Sequence, residues 1–207
     1  FGLSFPLEKI LETNMKLYGD KLTKKEDLKA RLFRFLQERV SFELGVKAGS
    51  RPHEILQAVM RSSFEDISDV FKRFDVLTGM DPKPLIKAAK VIQRTANMLK
   101  GYKGDSRKLG EPKPELLKED QERKLFELIQ ARKQDVRDVV QKNEYEKATR
   151  LFAEIFAAPL HDFFDHVLVN AEDPALRENR MAMVWQINHF YTEKVADLSA
   201  LSRIDEE

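Results

Sequence analysis

The chain has 207 residues, 42% hydrophobic and 34% charged, with 36 Lys and Arg against 35 Asp and Glu and a formal charge of +1. That is one large domain or two small ones, rich enough in apolar residues to bury a sizeable core and too charged for a membrane protein. With no cysteine in the sequence, disulfides, thiolate metal sites, iron–sulfur clusters and a cysteine nucleophile are excluded from this segment, and a cytoplasmic location is expected.

No stretch approaches the roughly 18 apolar residues of a membrane span. The opening FGLSFPLEKILE lacks the basic start of a signal peptide, and a chain that begins at Phe1 reads as a piece of something longer. All eight glycines precede residue 111, and none forms a G-x-G-x-x-G or G-x-x-x-x-G-K-[ST] run. The usual backbone cradles for nucleotide phosphates are therefore missing.

Helix punctuation recurs along the chain. Ser4 and Pro6 open an apolar-periodic run that Gly19 closes with a left-handed cap. Thr23 and Glu26 have capping-box spacing before Leu28, Leu32, Phe35, Leu36 and Val40, which predict a long helix ending near Gly45. Ser50 and Pro52 open a helix through Ile55, Leu56, Val59 and Met60, and Ser63 opens another through Phe74 to Gly79. Asp81 and Pro82 begin the next, with Leu85, Ile86, Ala89, Ile92, Ala96 and Leu99 as its apolar stripe.

Residues 102–114 read as a long linker, rich in Gly, Pro and charge. A charged helix follows from Leu116 to Val140, and Asn143 with Glu146 forms a second capping-box pattern before another. Pro159 should start a separate helix through Leu160, Phe163, Phe164, Val167 and Leu168, and Asp173 with Pro174 a last one running towards Leu201. No alternating strand of useful length occurs, so the expected fold is all-α, a helical bundle of about eight or nine helices. Residues 1–80 are expected as a helical lead-in and 81–207 as the main bundle, or the two as one continuous domain.

Charge is unevenly spread: residues 1–110 hold 22 basic and 14 acidic side chains, residues 111–207 hold 14 and 21. Within 81–110, Lys83, Lys87, Lys90, Arg94, Lys100, Lys103, Arg107 and Lys108 face only Asp81 and Asp105. Such a basic helix and linker can neutralise phosphates, with Asn and aromatic side chains reading or stacking on bases; a solvated helix face is the plainer alternative. Among the aromatics Phe33, Phe42, Tyr102, Trp185 and Tyr191, only Tyr102 sits where exposure is expected.

For catalysis, the strongest cluster is HDFFDH (161–166), whose His161/Asp165 and Asp162/His166 pairs have the helical spacing of metal ligands or of surface ion pairs. His53 suits a cap and His189 a packing position, and no Ser or Thr stands in a nucleophile setting. Neither a metal nor a catalytic residue is expected in this segment.

The run FFDHVLVNAEDPALRENRMAMV (163–184) resembles the C-terminal part of the β subunit of two-subunit bacterial glycyl-tRNA synthetases, a pattern F-F-D-x-V-M-V-x-x-x-D-x-x-L-R-x-N-R-L, with Leu168 for Met and Met181 for Leu. Its Asp173–Ala175–Leu176–Arg177 core is similar to the DALR signature of a wider class of anticodon-binding domains. RPHEILQAVM (51–60), IQRTANMLK (92–100) and VADLSALS (195–202) are similar to further stretches in the same order, with Gln93 where Lys is usual and Met98 where Ile is usual.

The resemblance implies a DALR-type anticodon-binding region that is itself non-catalytic. It further implies a parent glycine–tRNA ligase whose α subunit would bind ATP, Mg and glycine in an α2β2 assembly; tRNA-Gly and that α subunit are the expected partners, with no DNA and no membrane. The RNA-binding residues it points to are Lys90, Arg94, Asn97, Lys100, Arg177, Asn179 and Arg180. For Arg177, Asn179 and Arg180, bracing the last helix is an equal alternative, while Asp173 is expected to cap and Leu176 to pack. A helical subunit-interaction module without RNA contact is the competing function.

Overall fold

Cap chemistry explains most of the element boundaries in the computed structural model, which describes residues 7–19 and 25–201. Among these there are eight α-helices and no strand: α1 (Leu7–Tyr18), α2 (Lys25–Glu43), α3 (Arg51–Ser62), α4 (Ile67–Gly79), α5 (Pro82–Lys100), α6 (Asp120–Gln141), α7 (Tyr145–His166) and α8 (Pro174–Thr192). Ser50, Asp81 and Asp173 cap α3, α5 and α8 through their side chains, each with Pro in the first turn. Gly45 follows α2 at φ +61°, a left-handed position that costs glycine little. The expected starts at Ser4, Pro6 and Thr23 lie outside the described residues.

Several boundaries differ from expectation. Helix α4 starts after Asp66, whose side chain accepts from the Ser68 amide, rather than at Ser63, whose carbonyl is taken by Arg73. Asn143 terminates α6 instead of opening α7. It sits at φ +55°, with its amide donating to Val140 O and the Glu144 amide to Val139 O, a Schellman closure that uses up the capping-box residue.

Pro159 lies inside α7. An internal proline costs about 3 kcal/mol, but an unbroken helix keeps Phe152, Ile155, Phe156, Leu160 and Phe163 on one buried face, each worth about 1.5–3 kcal/mol of burial. Helix α8 stops at Thr192, and the chain reaches Leu201 through a 3-10 turn at Leu198–Ala200.

The 102–114 segment is more ordered than a linker. It holds a 3-10 turn at Ser106–Lys108, a second begins at Pro114, and Pro112 and Leu117 are buried. Tyr102, expected to be exposed, packs half-buried against the core, and a Cβ on Gly104 would stand 2.6 Å from its ring.

One connected core joins Val40 to Leu201, with α5 packed against α7, α8 and the Leu198–Ala200 turn. It runs through the 80/81 division suggested by the sequence. Arg73, fully buried on α4, bonds across that point to Val195 O (3.1 Å) while also donating to Val59 O (2.9 Å), Ser63 O (2.6 Å) and the Asp69 carboxylate (2.7 Å). Asp69 also accepts from the Tyr145 hydroxyl of α7, and burial together with that carboxylate raises the Tyr145 pKa above the ordinary phenol range. A buried guanidinium is tolerable only when its donors are met, as they are here.

Candidate nucleic-acid interface

Helix α5 is amphipathic with a narrow polar edge. At about 100° per residue, Lys83, Lys87, Lys90, Arg94 and Asn97 fall within about 80° of arc. Lys83, Lys87 and Asn97 are exposed, Lys90 and Arg94 half-buried, while Leu85, Ala88, Val91, Ile92 and Thr95 face the core. Lys100 is exposed at the end of the helix, and Lys103, Arg107 and Lys108 continue the basic run on the surface beyond it.

Arg94 is held in place rather than free. Its Nη1 lies 3.0 Å from His161 Nδ1, its Nη2 3.7 Å from Asp165, and its guanidinium 5.0 Å above the Phe164 ring. HDFFDH thus supplies the setting for an arginine: His161 and Asp165 pair at 3.2 Å, Asp162 and His166 at 3.1 Å, all on exposed surface, and among the described residues no three potential ligands converge as a metal ion would need. Gln93, the departure from the family's Lys, donates to Leu201 O at 2.7 Å and anchors the end of the described chain.

The polar edge of α5 borders a groove made of three adjacent cavities, joined in order by shared lining residues, Arg94 and then Gly101 and Asn170. Between α5 and α7 it is lined by Lys87, Lys90, Arg94 and His161. It then passes Arg94, Asn97, Phe164, Leu168 and Asn170, and ends beside Tyr102, Lys103 and Arg177. In the sequence Phe164 and Leu168 read as part of a buried helical stripe, and Asn170 carries no signal of its own. Helix α7 in fact ends at His166, and the V-L-V run that follows is extended at Val167, with Val167 and Val169 buried and Leu168 outside. That in-out-in alternation was the available signal.

The signature residues at the start of α8 face the other way. Asp173 accepts from the Ala175 and Leu176 amides (2.9 and 3.4 Å), and Leu176 is buried. Asn179, 5% exposed, clasps the backbone of Lys113, accepting from its amide at 2.6 Å and donating to its carbonyl at 3.1 Å. Arg180 is 4% exposed, ion-pairs with the fully buried Glu122 of α6 and donates to Leu168 O at 2.7 Å. Asn179 and Arg180 are thus inward-facing braces with occupied donors and acceptors.

Arg177 is intermediate: it donates to Ala171 O at 3.0 Å and also borders the groove. Of the proposed stacking aromatics, Tyr191 is fully buried against Thr149, Trp185 stacks on His189, Phe42 is exposed under Arg39, and the Phe33 side chain lies outside the described residues.

Fold and groove together define an all-α module with a cationic and amide-bearing docking edge. Comparison with known proteins gives this class a family. Residues 89–194, just over half of the chain and including α5 from Ala89, most of the groove lining and all of α8, match the DALR anticodon binding domain. The chain belongs to the DALR anticodon-binding domain family.

Over its whole length it is similar to glycine–tRNA ligase beta subunits: 31% identical over 202 residues to that of Methylobacillus flagellatus, 27% over 206 to that of Trichlorobacter lovleyi, and 30% over 201 to that of Delftia acidovorans. In each case 97% of this chain is covered, and it spans little more than a quarter (27–28%) of the relative. No helix among the described residues is long and apolar enough to cross a membrane.

Proposed function

We propose that this chain is the anticodon-recognising region of a glycine–tRNA ligase β subunit and grips the anticodon stem and loop of tRNA-Gly along the α5 groove. Aminoacylation itself, with ATP and Mg, belongs to an α subunit in a cytoplasmic α2β2 assembly. The contribution of this region is to hold one end of the tRNA so that the acceptor end is positioned at the distant reaction centre. The observation that carries the reading is the alignment of Lys83, Lys87, Lys90, Arg94 and Asn97 on one edge of α5, bordering an open groove.

Within this proposal Lys90, Arg94, Asn97 and Lys100 touch RNA, Arg177 touches it at the far end of the groove, and Asn179 and Arg180 act from behind. Filter binding across a salt series tests it: affinity for tRNA-Gly should exceed that for other tRNAs of equal length, fall steeply with salt, and drop about tenfold in Arg94→Ala, which removes a charge-assisted contact. Equal affinity for unrelated tRNAs, or an unchanged Arg94→Ala, would reject it.

One observation favours a subunit-contact role for a different face. Phe35 and Phe42 of α2 are 59% and 73% exposed, with Arg39 lying between them and over the Phe42 ring. Co-elution with an α subunit in size-exclusion chromatography, lost in Phe42→Ser, would support that second role without involving the groove.

A further inference from the structure

Where α7 gives way to residues 167–170, extended at Val167, the groove holds a cavity of about 500 Å³ lined in part by Asn97. Leu168 stands on its wall with 70% of its surface exposed; among the described residues only Leu17 and Phe42, both far earlier in the chain, are large apolar side chains more exposed than this. A single exposed leucine is unremarkable in itself; the manner in which this one is held is informative. Val167, where the backbone is extended, and Val169 are buried on either side, so that Leu168 between them is left pointing outward. Arg180, itself tied to buried Glu122, holds the Leu168 carbonyl at 2.7 Å. The apolar side chain is thus presented by a fixed backbone, with little flexibility left to lose on binding.

The side chains lining this part of the groove are equally specific. Asn97 and Asn170 are exposed, and neither side chain makes a hydrogen bond among the described residues. Each amide carries two donor hydrogens and an acceptor oxygen, the complement of a nucleobase edge. Arg94, fixed by Phe164, His161 and the exposed Asp165 carboxylate 3.7 Å away, adds a cation at the same rim, and Asp165 is not among the residues lining this stretch. A rigid apolar surface, two free amides and a positioned guanidinium match an unstacked base with its apolar face, polar edge and adjoining phosphate. Loop nucleotides present such bases at low cost.

We propose that this part of the groove receives one unstacked base of the anticodon loop, its face against Leu168, its edge on the amides of Asn97 and Asn170, and the neighbouring phosphate on Arg94. The proposal rests on the tRNA-binding reading above and adds the residues that select the nucleotide.

The test measures binding of the 207-residue chain to tRNA-Gly transcripts, intact or with one abasic site placed in turn at each anticodon-loop nucleotide. One abasic transcript should bind the unaltered chain about tenfold more weakly. Leu168→Ser and Asn97→Ala should lose a similar factor on intact RNA, yet bind that one abasic transcript as well as the unaltered chain does, the non-additivity of groups that touch one another. Both residues are exposed, so thermal melts should be unchanged. If tRNA-Gly is still preferred but the two substitutions lose nothing, or lose the same factor on every abasic transcript, the base site is overturned and the tRNA-binding reading stands. If the unaltered chain shows no preference for tRNA-Gly, both fall.

Discussion

Arg94 on α5 and Arg180 on α8 are both positively charged residues within conspicuous sequence patterns, yet they do opposite things. Arg94 lies on a half-exposed edge, held by an exposed carboxylate, a histidine and a phenylalanine ring, with an open groove beside it. Arg180 is 4% exposed and committed to a fully buried glutamate and a backbone carbonyl. What separates an arginine on the groove edge from a bracing one is therefore the burial of its acidic partner. In this bundle the more recognisable motif is the brace: Asp173, Leu176, Asn179 and Arg180 fasten α8 to α6, to the 112–118 segment and to the groove wall, and so shape the surface that α5 lines with charge.

The sharpest way to break this contrast is to remove the brace. Arg180→Ala leaves Glu122 as an unpaired buried carboxylate and should cost about 3–5 kcal/mol of stability, read as a lower denaturant midpoint. Pairing it with Glu122→Leu should recover only part of the loss, because Glu122 also accepts from the Lys118 and Glu119 amides at 2.5 and 3.0 Å. A loss below about 1 kcal/mol would match an exposed ion pair and erase the distinction between the two arginines.

Most of the α-helical architecture was legible in the sequence, because Ser50, Asp81 and Asp173 announce helix starts through side chains that need no tertiary partner. The misread boundaries share a cause. Pro159 and Asn143 are strong local signals overridden, respectively, by a buried face that spans the proline and by a backbone closure that takes the asparagine into the left-handed region. The basic edge of α5 was readable from spacing alone. For Asn179 and Arg180 the sequence left bracing and contact as equal alternatives, since their partners, Lys113 and Glu122, lie 66 and 58 residues away. The groove wall at Leu168 was hidden by the assumption that α7 continues.

On the opposite side of the comparison, Lys87→Ala and Lys100→Ala should leave the melting temperature within experimental scatter, as exposed residues outside the core do. Each should weaken binding of any RNA that fills the groove and reduce the salt slope of tRNA binding by about one, the signature of a single lost phosphate contact. A change in sequence preference with no change in slope would mean that these lysines contact bases.

The smallest effect separates capping from bracing inside the signature itself. Asp173→Ala removes the acceptor for the Ala175 and Leu176 amides and should cost about 1 kcal/mol, the ordinary value of a lost N-cap. Asp173→Asn should restore most of it, because the asparagine oxygen can accept the same bonds. Neither change alters Arg180 or its hold on Leu168, so tRNA affinity measured well below the melting temperature should be unchanged in both. If Asp173→Ala instead weakened RNA binding as much as Arg94→Ala, the start of α8 would belong to the contact surface after all. The signature would then be part of what the RNA touches, with α5 no longer the sole source of its grip.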